Sequence, residues 1–116
     1  MANATSQLPD LRLNLALPEI GPALAMATLL ADRNRAAILT LLQSGPHCVC
    51  EMAAALGERS NNVSNHLALL REAGLVCTSP GDTDTRRIYY ERNEEACQAA
   101  LQSLASLLTP LAESDK

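Results

Sequence analysis

Two amphipathic segments of this chain are separated by Gly57, Glu58 and Arg59 alone, an interval that permits only a tight turn. Glycine can take the left-handed backbone conformation in which helices commonly end. Upstream, a short helix is expected from Cys48 or Val49 to Leu56. Downstream, Ser60 is placed to cap a helix that runs to about Ala73 and stops at Gly74. Two helices joined this closely form a helix-turn-helix. Ala53, Gly57 and Val63 suit that crossing, being a small residue, a turn glycine and a branched residue able to bury itself.

The flanking segments extend this unit. From about Glu19 to Leu30 apolar residues fall at helical spacing (Ile20, Leu24, Ala27, Leu30). A second helix follows Asp32, whose carboxylate can cap it; Ile38, Leu39, Leu41 and Leu42 form its buried face and Ser44-Gly45-Pro46 ends it. After the helix-turn-helix, residues Leu75 to Ser79 and Arg87 to Glu91 read as strands around the turn-rich stretch Pro80-Gly81-Asp82-Thr83-Asp84-Thr85. That hairpin makes a wing. A last helix, Glu94 to Leu111, has acids in its first turn and a leucine stripe at Leu101, Leu104, Leu107, Leu108 and Leu111, which calls for a partner. The fold class expected is therefore mainly α with a small β-hairpin wing, a dimeric winged helix-turn-helix. Residues 1–18 read as an N-terminal tail, 19–111 as the domain and 112–116 as a C-terminal tail. Within the first of these, Leu11, Leu13, Leu15 and Leu17 alternate before Pro18, a pattern that fits either a strand or an irregular lead-in.

At 116 residues the chain has room for one core and no separate catalytic domain. Without Trp or Phe and with two tyrosines, that core must come from Leu, Ala, Ile, Val and Met, which favours helices. No apolar run is long enough to span a bilayer and no cleavable leader is apparent, so a cytoplasmic protein without membrane association is expected. No nucleophile has a convincing base and orienting partner, nor is there a phosphate-binding loop or a carboxylate pair; an enzyme is not expected.

A net charge of −4 argues against indiscriminate coating of nucleic acid, because that affinity comes from neutralising phosphates. The positive charge is local. Residues Arg59 to Arg92 hold five arginines against four acids, whereas Asn93 to Lys116 hold one base against four acids. The second helix of the helix-turn-helix opens Ser60-Asn61-Asn62-Val63-Ser64-Asn65-His66, short hydrogen-bonding side chains around one apolar anchor. Such a surface is ordinarily just solvated, but this one begins the element that enters the major groove in helix-turn-helix proteins. Ser60, Asn61, Asn62, Ser64, Asn65 and His66 are therefore candidate DNA contacts, with Arg86 and Arg87 on the wing as candidate phosphate or minor-groove contacts. Arg59 and Arg71 are placed for the DNA backbone.

Three stretches carry a resemblance: Leu30-Ala31-Asp32-Arg33-Asn34-Arg35, then Cys48-Val49-Cys50-Glu51-Met52-Ala53, then Val63-Ser64-Asn65-His66-Leu67-Ala68-Leu69-Leu70-Arg71-Glu72-Ala73-Gly74-Leu75-Val76. Together they resemble the ArsR–SmtB family of metal-sensing repressors, over roughly residues 20 to 92. The resemblance implies a homodimer, paired through its first and last helices, that binds an imperfect palindrome of operator DNA and dissociates when metal arrives. Sensory sites differ within the family. One set, for zinc and similar ions, uses Asp, His and Glu on the last helix, where this chain has no His. Cys-Val-Cys at the head of the third helix instead resembles the site of arsenite sensors and, with added N-terminal ligands, of cadmium and lead sensors; no Cys or His precedes His47 here.

Cys48 and Cys50 are one residue apart, a spacing that resists their bridging each other and suits reduced thiols. Thiolates near a helix N-terminus are favoured by its dipole, and soft sulfur selects soft ions: arsenite or antimonite first, with cadmium, lead, mercury, copper(I) or zinc behind. Residues i and i+2 of an intact helix point about 200° apart, so coordination is expected to loosen the first turn of the third helix. Arsenite prefers three sulfurs. The place three residues after Cys50 is Ala53, leaving Cys97 of the last helix, across a dimer, as the candidate third ligand beside Cys48 and Cys50. His47 adjoins the pair; Cys77 reads as packing or an idle thiol. The alternative function is a redox- or persulfide-sensing repressor in which two cysteines such as Cys50 and Cys97 cross-link without metal.

Overall fold

The computed structural model describes residues 20–79 and 87–110. Five α-helices and three short strands follow one another in that range: α1 (Gly21–Leu30), α2 (Arg33–Leu41), β1 (His47–Cys48), α3 (Val49–Leu56), α4 (Ser60–Glu72), β2 (Val76–Thr78), β3 (Tyr89–Arg92) and α5 (Glu94–Leu108). A 3-10 turn, Leu42–Ser44, prolongs α2.

Local chemistry accounts for the boundaries. Pro22 stands in the first turn of α1, where its missing N–H would have no helical partner anyway. Asp32 caps α2 through Oδ1, which accepts from the backbone N–H of Asn34 at 2.8 Å and of Arg35 at 3.2 Å. Asn93 does the same for α5, accepting from Ala96 N–H at 3.1 Å, and Glu94 and Glu95 occupy the first turn. Gly57 ends α3 with φ 68°, as its place in the sequence requires. One cap falls elsewhere than expected: Arg59, with extended backbone, is the N-cap of α4 and Ser60 its first helical residue. The turn after Gly57 is therefore one residue tighter, and no side chain caps this end.

Val63, Leu67 and Leu70 lie on one face of α4 by their spacing of four and three, and all are buried. They meet Ile38 of α2, Leu42, Met52 and Ala53 of α3, then Leu75, Val76 and Ala100 in a single core. Helix α1 packs on α5. On these helices Leu24, Leu101, Leu107 and Leu108 stay exposed, so the leucine stripe is only partly used within the chain.

The sheet has the order β1–β3–β2, antiparallel throughout. Strands β2 and β3 form the wing, pairing Val76 with Arg92, Cys77 with Glu91 and Thr78 with Tyr90. Its strands are shorter than expected, since Leu75 N–H turns back to Leu70 O at 3.0 Å to close α4. The third strand was not foreseen: His47 and Cys48 pair with Tyr90 and Tyr89. Two residues carry no readable alternation, so only the approach of β3 makes them a strand. Leu111, Arg86, the linker 80–85 and the alternating leucines before Pro18 lie outside the described residues.

Candidate functional site

Helix α4 presents Ser60, Asn61, Asn62, Ser64 and Asn65 to solvent on the side away from the core. Among them Asn62 is held by its own turn, its Nδ2 donating to Glu58 Oε1 at 2.8 Å. His66 is placed differently. Its ring turns toward α2, with Nδ1 3.2 Å from Arg35 Nη1 and Nε2 3.9 Å from Asp32 Oδ1. Arg87 stands exposed at the foot of β3, and Arg86 lies outside the described residues.

Cys48 is the N-cap of α3 and nearly sealed, 2% exposed, with extended backbone at φ −90° and ψ 166°. A reciprocal cap follows. Its sulfur accepts from Glu51 N–H, while Glu51 Oε1 accepts from Cys48 N–H at 3.1 Å. Because Cys48 precedes the helix, the angle expected between residues i and i+2 does not apply to the pair, and the two cysteines line the same cleft. Nor does the helix dipole prevail at Cys48: burial first, then the Cys50 thiol, push its pKa up against the backbone N–H of Glu51. Cys50, on the first turn of α3, is exposed.

Cys48 and Cys50 both line a cleft of about 400 Å³ that Val49, Ser60, Ser64, Arg87, Ile88 and Tyr90 complete. This cleft joins elements distant in sequence: the thiol pair, two candidate DNA contacts on α4, and the foot of the wing. The Arg87 guanidinium is held in its charged form by a hydrogen bond to Tyr89 and then by the two neighbouring thiols. Sequence reasoning assigned Arg87 to DNA and overlooked its nearness to sulfur, which depends on the pairing of Cys48 with Tyr89 across β1 and β3.

His47 aims both ring nitrogens elsewhere, Nδ1 at Glu51 Oε1 (3.1 Å) and Nε2 at Ser44 Oγ (3.2 Å). The Glu51 carboxyl is held below its ordinary range by the Cys48 N–H and then by His47. Within one chain Cys97 is not brought to the pair. Its thiol lies 3.8 Å from Leu75 O, in an apolar pocket with Leu30, Leu39, Arg92 and Leu104, and burial pushes its pKa up. Among the described residues all four cysteines are free, and no group of three or more His, Cys, Asp and Glu side chains is assembled for a metal. The donor set that fits a thiophilic ion is therefore two sulfurs, beside a cation and two hydroxyls.

A winged helix-turn-helix with these features has known counterparts. Residues 32–78 match the bacterial regulatory protein arsR family. The arsenical resistance operon repressor of Escherichia coli K12 is 47% identical over 49 residues, which cover 41% of this chain and 42% of that protein. A crystal structure described as a "possible transcriptional regulator for arsenical resistance" superposes with a TM-score of 0.65 at 27% identity, covering 73% of this chain and 85% of that one. The transcriptional regulator HlyU of Vibrio vulnificus CMCP6 gives a TM-score of 0.57 at 30% identity, covering 89% of this chain and 99% of its own. The helix-turn-helix domain of this chain, residues 32–78, belongs to the bacterial regulatory protein arsR family, whose members are DNA-binding transcriptional regulators and not enzymes. The chain spans about half the length of the curated relatives it matches, 42%, 54% and 48% for three of them.

Proposed function

We propose that this protein is a homodimeric repressor that releases operator DNA when a thiophilic ion, arsenite or antimonite before cadmium, lead or zinc, is bound by Cys48 and Cys50. The carrying observation is the shared cleft: Cys48 and Cys50 line it together with Ser60 and Ser64 of α4 and Arg87 at the foot of the wing. An ion taken there acts on the reading head without a relay. Coordination requires the thiolate, so the buried Cys48 must give up its proton and its sulfur must share the lone pair that caps α3. Arg87 lines the same cleft and is the cation that would face the thiolates once they form. A conformation with the ion in the cleft and one with Arg87, Ser60 and Ser64 on DNA then compete, and the ion shifts the population toward the free dimer. Cys97 of a second subunit is the candidate third sulfur.

The redox alternative needs Cys50 and Cys97 to meet; in one chain they line separate cavities with no residue in common. Fluorescence anisotropy of promoter DNA separates the readings. Wild-type protein is expected to release DNA with arsenite under reducing conditions, and Cys48→Ser and Cys50→Ser to stay bound. Release of both variants at wild-type ion concentrations overturns the assignment, while release by oxidant alone selects the redox switch.

A further inference from the structure

We infer that His66 is a positioning residue for the reading helix, a neutral imidazole that accepts from Arg35 and so fixes α4 against the junction of α1 and α2. Three residues after Val63 and four before Leu70, His66 follows the buried side of the helix, and its side chain is 17% exposed. Its partner decides its protonation. A guanidinium has donors only and keeps its charge, so the His66 Nδ1 that lies 3.2 Å from Arg35 Nη1 has to be the acceptor. The ring proton therefore resides on Nε2, on the side of Asp32 Oδ1. The Nδ1–H tautomer or the imidazolium would set a hydrogen against Arg35.

The same guanidinium reaches a second element, Arg35 Nε donating to Leu29 O in the last turn of α1 at 2.6 Å. Arg35 in turn is oriented by Asp32, which takes its backbone N–H while capping α2. One planar fork thus ties α1 to α4 with its base anchored in α2. A lysine cannot reproduce this, since one ammonium lacks two donors set at a fixed angle. Because α1 bears an exposed leucine, Leu24, and packs on α5, Arg35 relates the reading helix to the helices expected to pair the subunits. This consequence for DNA rests on the operator-binding reading proposed above. The tautomer and the tie between helices do not.

The test has an arm for each. In the free protein, ring-nitrogen NMR near neutral pH is expected to show His66 as the Nε2–H tautomer, with Nδ1 shifted by an accepted hydrogen bond that Arg35→Lys removes. An Nδ1–H tautomer, or ring signals indifferent to Arg35→Lys, overturns the inference whether or not DNA binds. In promoter-DNA anisotropy, His66→Leu and Arg35→Lys are each expected to lose about tenfold in affinity, as for a lost hydrogen bond to a charged group. The double variant should be no weaker than either single one. His66→Asn, whose Oδ1 stands near the position of Nδ1, should recover most of the loss, with circular dichroism verifying the fold of each variant. Additive losses, or altered base preference in His66→Asn, would show a direct DNA contact and reject the positioning role. If the wild type ignores its promoter while the NMR result holds, the operator reading fails and the tie between helices stands.

Discussion

Cys48 caps α3 with its sulfur and is also the buried half of the proposed thiol site, so its two substitutions should separate these roles. Serine supplies a stronger cap acceptor than sulfur, and alanine none. Cys48→Ser is therefore expected to melt at or above the wild-type temperature, and Cys48→Ala to lose about 0.5–1 kcal/mol, read by thermal denaturation. Both should be blind to arsenite. Acid sensitivity belongs to Asp32 and Glu51. Asp32 is held below its ordinary 3.8 first by the Arg35 N–H, and Glu51 below 4.5 first by the Cys48 N–H. For carboxyls with lowered folded-state values the stabilisation is present above the ordinary values and disappears as pH falls through the folded ones. Unfolding followed by circular dichroism should show wild-type stability falling below about pH 4.5, with a shallower fall for Asp32→Asn.

The turn between α3 and α4 is set by backbone conformation more than by packing. Gly57 has φ 68°, and a Cβ added there would meet nothing within 4 Å. Gly57→Ala should thus cost only the strain of the left-handed region, about 1–2 kcal/mol, and Gly57→Asn less. Denaturant midpoints check this, and an alanine variant as stable as wild type would show that the turn tolerates another conformation. The wing depends on longer-range pairing. Strand β3 is shared by β1 and β2, so the segment bearing Cys48 and the strand leading from α4 lie in one sheet. Cys48 is therefore paired directly with a strand of the wing.

For the whole molecule, the packed helices α1 and α5 carry Leu24 on one and Leu101 and Leu108 on the other, exposed by 51%, 57% and 88%. A patch of this kind marks an interaction surface. The expected occupant is a second copy of the chain, as the family resemblance implies. A charge on this patch should block pairing without touching the core. Leu101→Glu with Leu108→Glu should sediment as a monomer, keep wild-type helicity and lose operator affinity, because one reading head spans one half-site. A double variant that remains a dimer moves the interface elsewhere.

Sequence by itself determined the order of helices and wing, the Asp32 cap, the Gly57 turn and the thiol pair, because capping chemistry, left-handed glycine and apolar spacing act over a few residues. Tertiary structure decided what those residues face. The strand at His47–Cys48 exists because β3 supplies its partners, and that pairing places Cys48 outside the helix and brings Arg87 into one cleft with the cysteines. His66 looked like its polar neighbours on α4 until Arg35, 31 residues away in sequence, fixed its side. Contacts made across such distances follow from how whole elements pack, and leave no periodic trace in the chain.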